Sequence, residues 1–270
     1  MRQANPAHFI LITFLLVTSC KSGISNPPPL IEQIQTPVVT ESTALPDIKT
    51  ENMFSFDEMN ISAGFNFPDR FSQGTITIAE VVAKSDEPAA PYEPAYPQHA
   101  RILLTNSINT SERGIRIFRA DEINAVDPRI FDSLKAVLAG QIDQRTDFPR
   151  LAGAGRVIDA QAAPLSFQNG NGYRYLIFKK FDASGLNDTS MTYMYQGLTN
   201  DGHYIVSFLS SVNAPFLADL ATGQIFTTDE ETTNYIKLVN ERLNAADPTQ
   251  FDPPLTALDE LSASIMVIQK

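Results

Sequence analysis

Two successive hairpin patterns between residues 157 and 210 limit the fold of this chain more than any other feature. The first predicts strands at 157–168 and 173–181 around Asn169–Gly172 (NGNG), and the second predicts strands at 191–199 and 203–210 around Asn200–Gly202 (NDG). Both short sequences are typical of tight turns between antiparallel strands. Pro164 lies in the first strand, and proline is tolerated in a sheet only at an edge or a bulge. We therefore expect an antiparallel sheet in which this strand is an edge or is bulged.

Further strands and three helices are predicted around these hairpins. Alternating apolar residues predict strands at 75–82, 101–105 and 114–119. The helices are predicted to begin at Asp127–Pro128, at Thr228 with its capping-box partner Glu231, and near Pro253–Pro254. Because the strands form hairpins and the helices are separate from them, the sequence predicts an α+β fold, with helices packed against an antiparallel sheet.

The first 19 residues have the pattern of a secretory signal peptide. Arg2 precedes an apolar run, Phe9–Val17, which is too short to span a bilayer, a task that takes about 20 residues. Val17–Cys20 (VTSC) then resembles the lipobox of bacterial lipoproteins, which implies that Cys20 is lipidated and is the first residue of the mature chain. The alternative is a secreted soluble protein in which Cys20 lies by chance near an ordinary cleavage site.

The lipobox resemblance has consequences for location. It implies two or three acyl chains on Cys20, enough for permanent anchoring to a membrane. Lys21, rather than aspartate, follows the cysteine, which in Gram-negative families resembles cargo sent to the outer membrane. Residues 20–47 are rich in proline and polar residues and are interpreted as the lipidated cysteine with a flexible tether. Residues 48–270 are interpreted as a single globular domain.

The charge of the chain limits its partners. The formal net charge is −11, so nucleic acid is a poor partner because phosphate binding needs clustered lysine and arginine. The same charge repels anionic headgroups, and membrane contact is expected through the lipid alone. Cys20 is the only cysteine, so the fold cannot depend on intramolecular disulfides.

Several short segments resemble a family of uncharacterised bacterial lipoproteins. The segments are Leu165–Gly170, Gly172–Leu176 and Tyr195–Tyr204, with weaker similarity at Pro97–Arg101 and Ile115–Phe118. The likeness covers about residues 55 to 225. It implies an exported, lipid-anchored domain and brings no activity or cofactor with it.

Catalytic and metal-binding patterns are not apparent in the sequence. His99 and His203 lack metal-ligand spacing, and no G-x-S-x-G segment indicates a serine hydrolase. Gly153–Gly155 resembles a nucleotide-binding loop only superficially, because Ile158 stands where the third glycine is needed. We expect no cofactor and no metal site, although distant acids could assemble a carboxylate-based hydrolase site.

Aromatic residues on neighbouring predicted strands form the one candidate for ligand binding. They are Tyr173, Tyr175, Tyr193 and Tyr195. If they are exposed on one face, they could form a platform for a sugar or a peptide; if they are buried, they are cross-strand packing partners. The leading hypothesis is a non-enzymatic, lipid-anchored domain that binds a protein, a glycan or another component of the envelope. A hydrolase of the envelope is the alternative.

Overall fold

The computed structural model of the chain describes residues 52–68, 76–85, 95–104, 114–141, 147–148, 155–180 and 184–270. All of these residues belong to one unit, Thr43–Lys270. The predicted signal peptide, Cys20 and the predicted tether lie outside the described residues.

Strands outnumber helices in the described part of the chain. The strands are β1 (Met53–Phe56), β2 (Ile61–Gly64), β3 (Ile76–Val82), β4 (His99–Leu104), β5 (Gly114–Arg119), β6 (Gly155–Phe167), β7 (Gly170–Lys180), β8 (Ser190–Thr199), β9 (Tyr204–Asn213) and β10 (Met266–Gln269). The helices are α1 (Ala120–Val126), α2 (Pro128–Leu138), α3 (Asp229–Ala245) and α4 (Leu255–Ser264). No described helix is both long and apolar enough to cross a membrane.

The strands form two antiparallel sheets, which confirms the predicted α+β fold. The larger sheet has seven strands in the order β3-β4-β5-β9-β8-β7-β6, and the smaller has the order β1-β2-β10. As predicted, β6 is an edge strand and is bulged: its register with β7 shifts between Ala160 and Ala163, and Gln161 has a positive φ of 55°. Pro164 lies just beyond this bulge, where the missing N–H removes no interior ladder bond.

The first hairpin turn lies two residues earlier than the glycine pattern suggests. Phe167 pairs with Gly170, so Gln168 and Asn169 form the turn, and Gly172 lies inside β7. A Cβ at Gly172 would overlap the ring hydroxyl of Tyr195. These glycines are therefore explained partly by the space that neighbouring rings need, and not only by the turn.

Both faces of the seven-stranded sheet are covered. The face that we call the α4 face carries Tyr193 and Phe208, and it packs against α3, α4 and the smaller sheet in one large hydrophobic cluster. The opposite face, which we call the α2 face, carries Tyr175 and Met194 and packs against α2 in a smaller cluster. The sheet is thus the middle layer of three.

The helix ends follow the predicted caps with one difference. Asp127 accepts a hydrogen bond from the backbone N–H of Arg129 at 3.1 Å, and Thr228 accepts one from that of Glu231 at 3.2 Å. The Glu231 carboxylate bonds to the backbone N–H of Thr227 at 3.0 Å, one residue before the partner that a standard capping box would use. The sequence did not predict α1 or the smaller sheet, whose strands are only four residues long.

Candidate functional site

Strand register places the four predicted tyrosines on two opposite faces of the sheet. Tyr173 and Tyr175 of β7 lie directly opposite Gln196 and Met194 of β8. Directly opposed residues share a face, and successive residues along a strand alternate between faces. Tyr173 and Tyr175 therefore point to the α2 face, whereas Tyr193 and Tyr195 point to the α4 face.

All four tyrosines are buried, so they do not form an exposed aromatic platform, which was one of the two alternatives that the sequence left open. The most exposed of them, Tyr173, is 4% exposed, and Tyr193 and Tyr195 are fully buried. Their hydroxyls bond inside the protein: that of Tyr175 lies 2.9 Å from Met194 Sδ, and that of Tyr195 donates to the Leu165 carbonyl at 3.2 Å. The other alternative, packing across strands, accounts for these residues.

Tyr193 belongs to a largely buried polar group that sequence reasoning did not find. We call it the Asp259 cluster; its members are Gln161, Arg174, Tyr193, Asp259 and Ser262. The Tyr193 hydroxyl donates to Asp259 Oδ1 at 2.9 Å and lies 3.0 Å from Ser262 Oγ. Arg174 Nε lies 3.3 Å from the same Asp259 oxygen, as an ion pair without hydrogen-bond geometry. Arg174 also donates through Nη1 to the carbonyl of Gln161 at the β6 bulge.

Burial dominates the electrostatics of this cluster. It raises the pKa of the Asp259 carboxyl, an effect that the neighbouring Arg174 guanidinium opposes. Burial also raises the pKa of Tyr193 well above its ordinary value. Displaced pKa values beside strained backbone are features of many active sites. Here, however, the Tyr193 hydroxyl is buried beneath α4, and Arg174 is 6% exposed. We interpret the cluster as a set of polar contacts that holds α4 and the β6 bulge to the sheet.

An accessible site lies on the other side of the same hairpin. A cleft of about 480 Å³ separates the end of α2 from strands β6 and β7. Its lining residues are Val137, Leu138, Gly140, Pro164, Leu165, Ser166, Asn171, Gly172 and Tyr173. We call this site the hairpin cleft. Its volume is within the range of about 300–1,000 Å³ that is usual for ligand pockets.

The hairpin cleft has one apolar wall and one partly polar wall. The end of α2 supplies Val137 and Leu138, whereas Ser166 and Asn171 face each other across the β6–β7 ladder. Ser166 Oγ donates to Asn171 Oδ1 at 2.9 Å, and Asn171 Nδ2 donates to Asn200 Oδ1 at 3.2 Å. Within the described part of the chain, none of the nine residues that line the cleft carries a charge. The cleft therefore suits an uncharged ligand that is largely apolar.

A second pocket, of about 250 Å³, lies near the tip of the β8–β9 hairpin. The charged side chains that line this pocket already make polar contacts within the protein. Arg119 donates to both carboxylate oxygens of Asp121, at 3.2 and 2.9 Å, and His203 lies 3.5 Å from Asp201 with 65% of its side chain exposed. The Arg119–Asp121 contact is an exposed ion pair, and such pairs contribute little to stability.

The histidines do not form a metal centre with other described residues. His99 is buried, its ring stacks on Phe118 with centroids 4.5 Å apart, and its Nδ1 lies 3.0 Å from the Pro97 carbonyl. Burial lowers the pKa of His99 to about 4. No group of three or more His, Cys, Asp or Glu in the described segments has the arrangement of a metal site.

Comparisons of the chain with protein-family models, with curated proteins and with solved structures find no significant match. The candidate site therefore depends on this chain's own residues. The sequence predicts the beginning of α2 at Asp127–Pro128 but does not assign Val137 and Leu138, near its end, to a cleft. No local signal could have done so, because the cleft depends on where α2 crosses the hairpin.

Proposed function

We propose that the protein is a lipid-anchored, non-enzymatic domain outside the cytoplasm, and that it binds a component of the cell envelope through the hairpin cleft. The observation that carries the binding function is the uncharged lining of this cleft in a chain of net charge −11. The anchoring rests on the signal-like first 19 residues and on Val17–Cys20. The alternative, a carboxylate-based hydrolase, needs acids that converge on an open site, whereas Asp259 is paired with Arg174 and Tyr193 beneath α4.

Intact-mass and peptide mass spectrometry of the chain, purified from membranes of a bacterial host, tests the anchoring. We expect a mature chain that begins at Cys20 and carries the added mass of acyl chains, and we expect Cys20→Ala to lack that mass. A mature chain that begins elsewhere, or an unmodified Cys20, would contradict the anchoring.

A photo-crosslinking residue tests the binding. Benzoylphenylalanine in place of Leu138 puts the reactive group on the apolar wall of the cleft. In living cells we expect a discrete adduct that Ser166→Trp removes by filling the cleft. The matched control is Thr233→Trp, which adds the same ring at an exposed site on α3. If no adduct forms, the hairpin cleft is not the binding site.

A further inference from the structure

We propose that the hairpin cleft takes the hydrocarbon chain of an uncharged, single-chain amphiphile. The inference rests on the proposed binding function and goes beyond it by naming the class of ligand. The hydrocarbon lies against the end of α2, and the neutral polar end lies at Ser166 and Asn171.

Charge is the first reason for this ligand class. A charged ligand that entered the cleft would lose hydration without gaining an opposite charge from any of the nine described residues that line it. An anionic ligand would also approach a molecule of net charge −11. An uncharged ligand avoids both costs.

The distribution of polar groups favours a hydrocarbon chain over a peptide or a glycan. Peptides carry an N–H and a C=O at each residue, glycans carry several hydroxyls on each ring, and each polar group that is buried without a partner weakens binding. The polar side chains that line the cleft are Ser166, Asn171 and Tyr173, all of which belong to the β6–β7 hairpin. The side chains that the end of α2 contributes, those of Val137 and Leu138, offer only hydrocarbon. A methylene chain needs no polar partner along its length and matches these side chains.

The polar pair is suited to the neutral end of such a ligand. The hydroxyl of Ser166 is the donor to Asn171 Oδ1, which leaves the lone pairs of the Ser166 oxygen for a ligand hydroxyl. Asn171 uses one of its two amide protons on Asn200, which leaves the second for an ester or amide carbonyl. Ser166 and Asn171 are both exposed, so these groups lie at the rim of the cleft. A neutral ester with a free hydroxyl, as in a monoacylglycerol, would complete both bonds.

The test uses a monoacylglycerol probe that carries a diazirine and an alkyne on its chain. The probe is added to membranes that contain the full-length chain, irradiated, and located by peptide mass spectrometry. We expect adducts on 136–141 and 163–173, displaced by unlabelled monoacylglycerol. The matched fatty-acid probe, whose carboxylate is charged, is expected to label these peptides about tenfold less.

Substitutions separate the cleft from general contact with lipid. Ser166→Trp is expected to lower labelling of these peptides by about tenfold, whereas Thr233→Trp leaves it unchanged. Should Ser166→Trp fail to fold, Pro164→Glu places a charge in the cleft at an exposed edge position and is expected to have the same effect. Adducts outside the cleft, or equal labelling of the cleft in all variants, would overturn the inference.

The outcome is separable from that of the proposed function. If benzoylphenylalanine at position 138 captures a protein or a glycan while the monoacylglycerol probe leaves the cleft unlabelled, the cleft binds a different class of ligand. If neither reagent reacts there, both proposals are wrong.

Discussion

The two faces of the seven-stranded sheet use buried polar side chains for different purposes. On the α4 face, Arg174 and Tyr193 join the sheet to Asp259 of helix α4, within the largest hydrophobic cluster. On the α2 face, Gln196 and Ser207 both donate to the carbonyl of Phe148, at 3.0 and 2.8 Å. The first set holds helix α4 against the sheet. The second holds Phe148, which lies between α2 and β6 in the chain, against the sheet.

This difference explains why the accessible site lies on the α2 face. On the α4 face, α3 and α4 cover the sheet together with the smaller sheet in one continuous core. On the α2 face, the buried residues form two smaller clusters, and the hairpin cleft lies beside the one that contains Val137 and Tyr173. Regions with smaller hydrophobic clusters open at lower free energy. Among the described residues, the α2 face therefore combines the hairpin cleft with the less extensive core.

Arg174→Met tests the α4 face and has the largest expected effect. It leaves the Asp259 carboxylate without its ion-pair partner beneath α4. The pair is largely buried, with 8% of the Arg174 and 24% of the Asp259 side chain exposed, and the change also removes the Arg174 bond to the Gln161 carbonyl. For the two losses together we expect a decrease of about 4 kcal/mol in the free energy of unfolding, measured by urea denaturation. The double variant Arg174→Met/Asp259→Leu removes both charges and is expected to recover part of the loss. A double variant that is less stable than the single one would refute this account of the pair.

Acidification tests the α2 face through His99, whose pKa is about 4 against an ordinary value of 6.5. The folded state binds this proton more weakly than the unfolded state, so stability is lost as pH falls from 6.5 to 4. The expected loss is about 3 kcal/mol. His99→Phe keeps an aromatic ring against Phe118 and should abolish the loss, whereas His203→Gln, at an exposed position, should retain it. An unchanged pH profile in His99→Phe would assign the loss to another group.

The Asp259 carboxyl on the α4 face contributes a slope of opposite sign. Its pKa in the folded protein is above the ordinary value of 3.8, so the folded state holds this proton more tightly. Its contribution to stability therefore falls as pH rises from 3.8 through the raised value. Asp259 is present in both His99→Phe and the parent chain. The difference between their pH profiles of stability therefore gives the contribution of His99 alone.

Gly172→Ala tests the close contact between Gly172 of β7 and the Tyr195 ring on the α4 face. The added Cβ would overlap the Tyr195 ring hydroxyl and lie 2.7 Å from the Gln196 carbonyl oxygen. We expect a loss of about 2 kcal/mol in thermal or urea unfolding. Because the two nearest overlaps involve the Tyr195 ring, Gly172→Ala combined with Tyr195→Ala should cost less than the sum of the two single changes, although the contact with the Gln196 carbonyl remains. Strict additivity would show that the ring is not the obstacle.

Ser207→Ala tests the tie on the α2 face and has the smallest expected effect. It removes one of two donors to the Phe148 carbonyl and leaves Gln196 in place. We expect a loss of about 1 kcal/mol. The comparison is Tyr193→Phe, which removes the hydroxyl bonded to Asp259 and Ser262 on the α4 face. If Ser207→Ala costs more than Tyr193→Phe, the α2 face is the more strongly tied of the two.

Local patterns were sufficient for much of the fold. Asp127–Pro128 marked the beginning of α2, Thr228 that of α3, and Pro164 indicated the edge position and bulge of β6. The smaller sheet could not be predicted, because β10 pairs with β2 across some 200 residues and each of its strands is only four residues long. The four tyrosines were predicted to lie on neighbouring strands, and they do. The pairing register of β7 with β8 places two of them on each face of the sheet, and this register cannot be read from either strand alone.

By itself, the sequence determined the α+β class, the hairpins and most helix ends, because alternation, caps and turn residues act within a few positions of the chain. The tertiary structure alone decided that Arg174, Tyr193 and Asp259 meet beneath α4, and that Val137 and Ser166 line one cleft. Pairing register and helix placement arise from the packing of both faces at once, so residues that are distant in sequence acquire their roles only when the layers assemble.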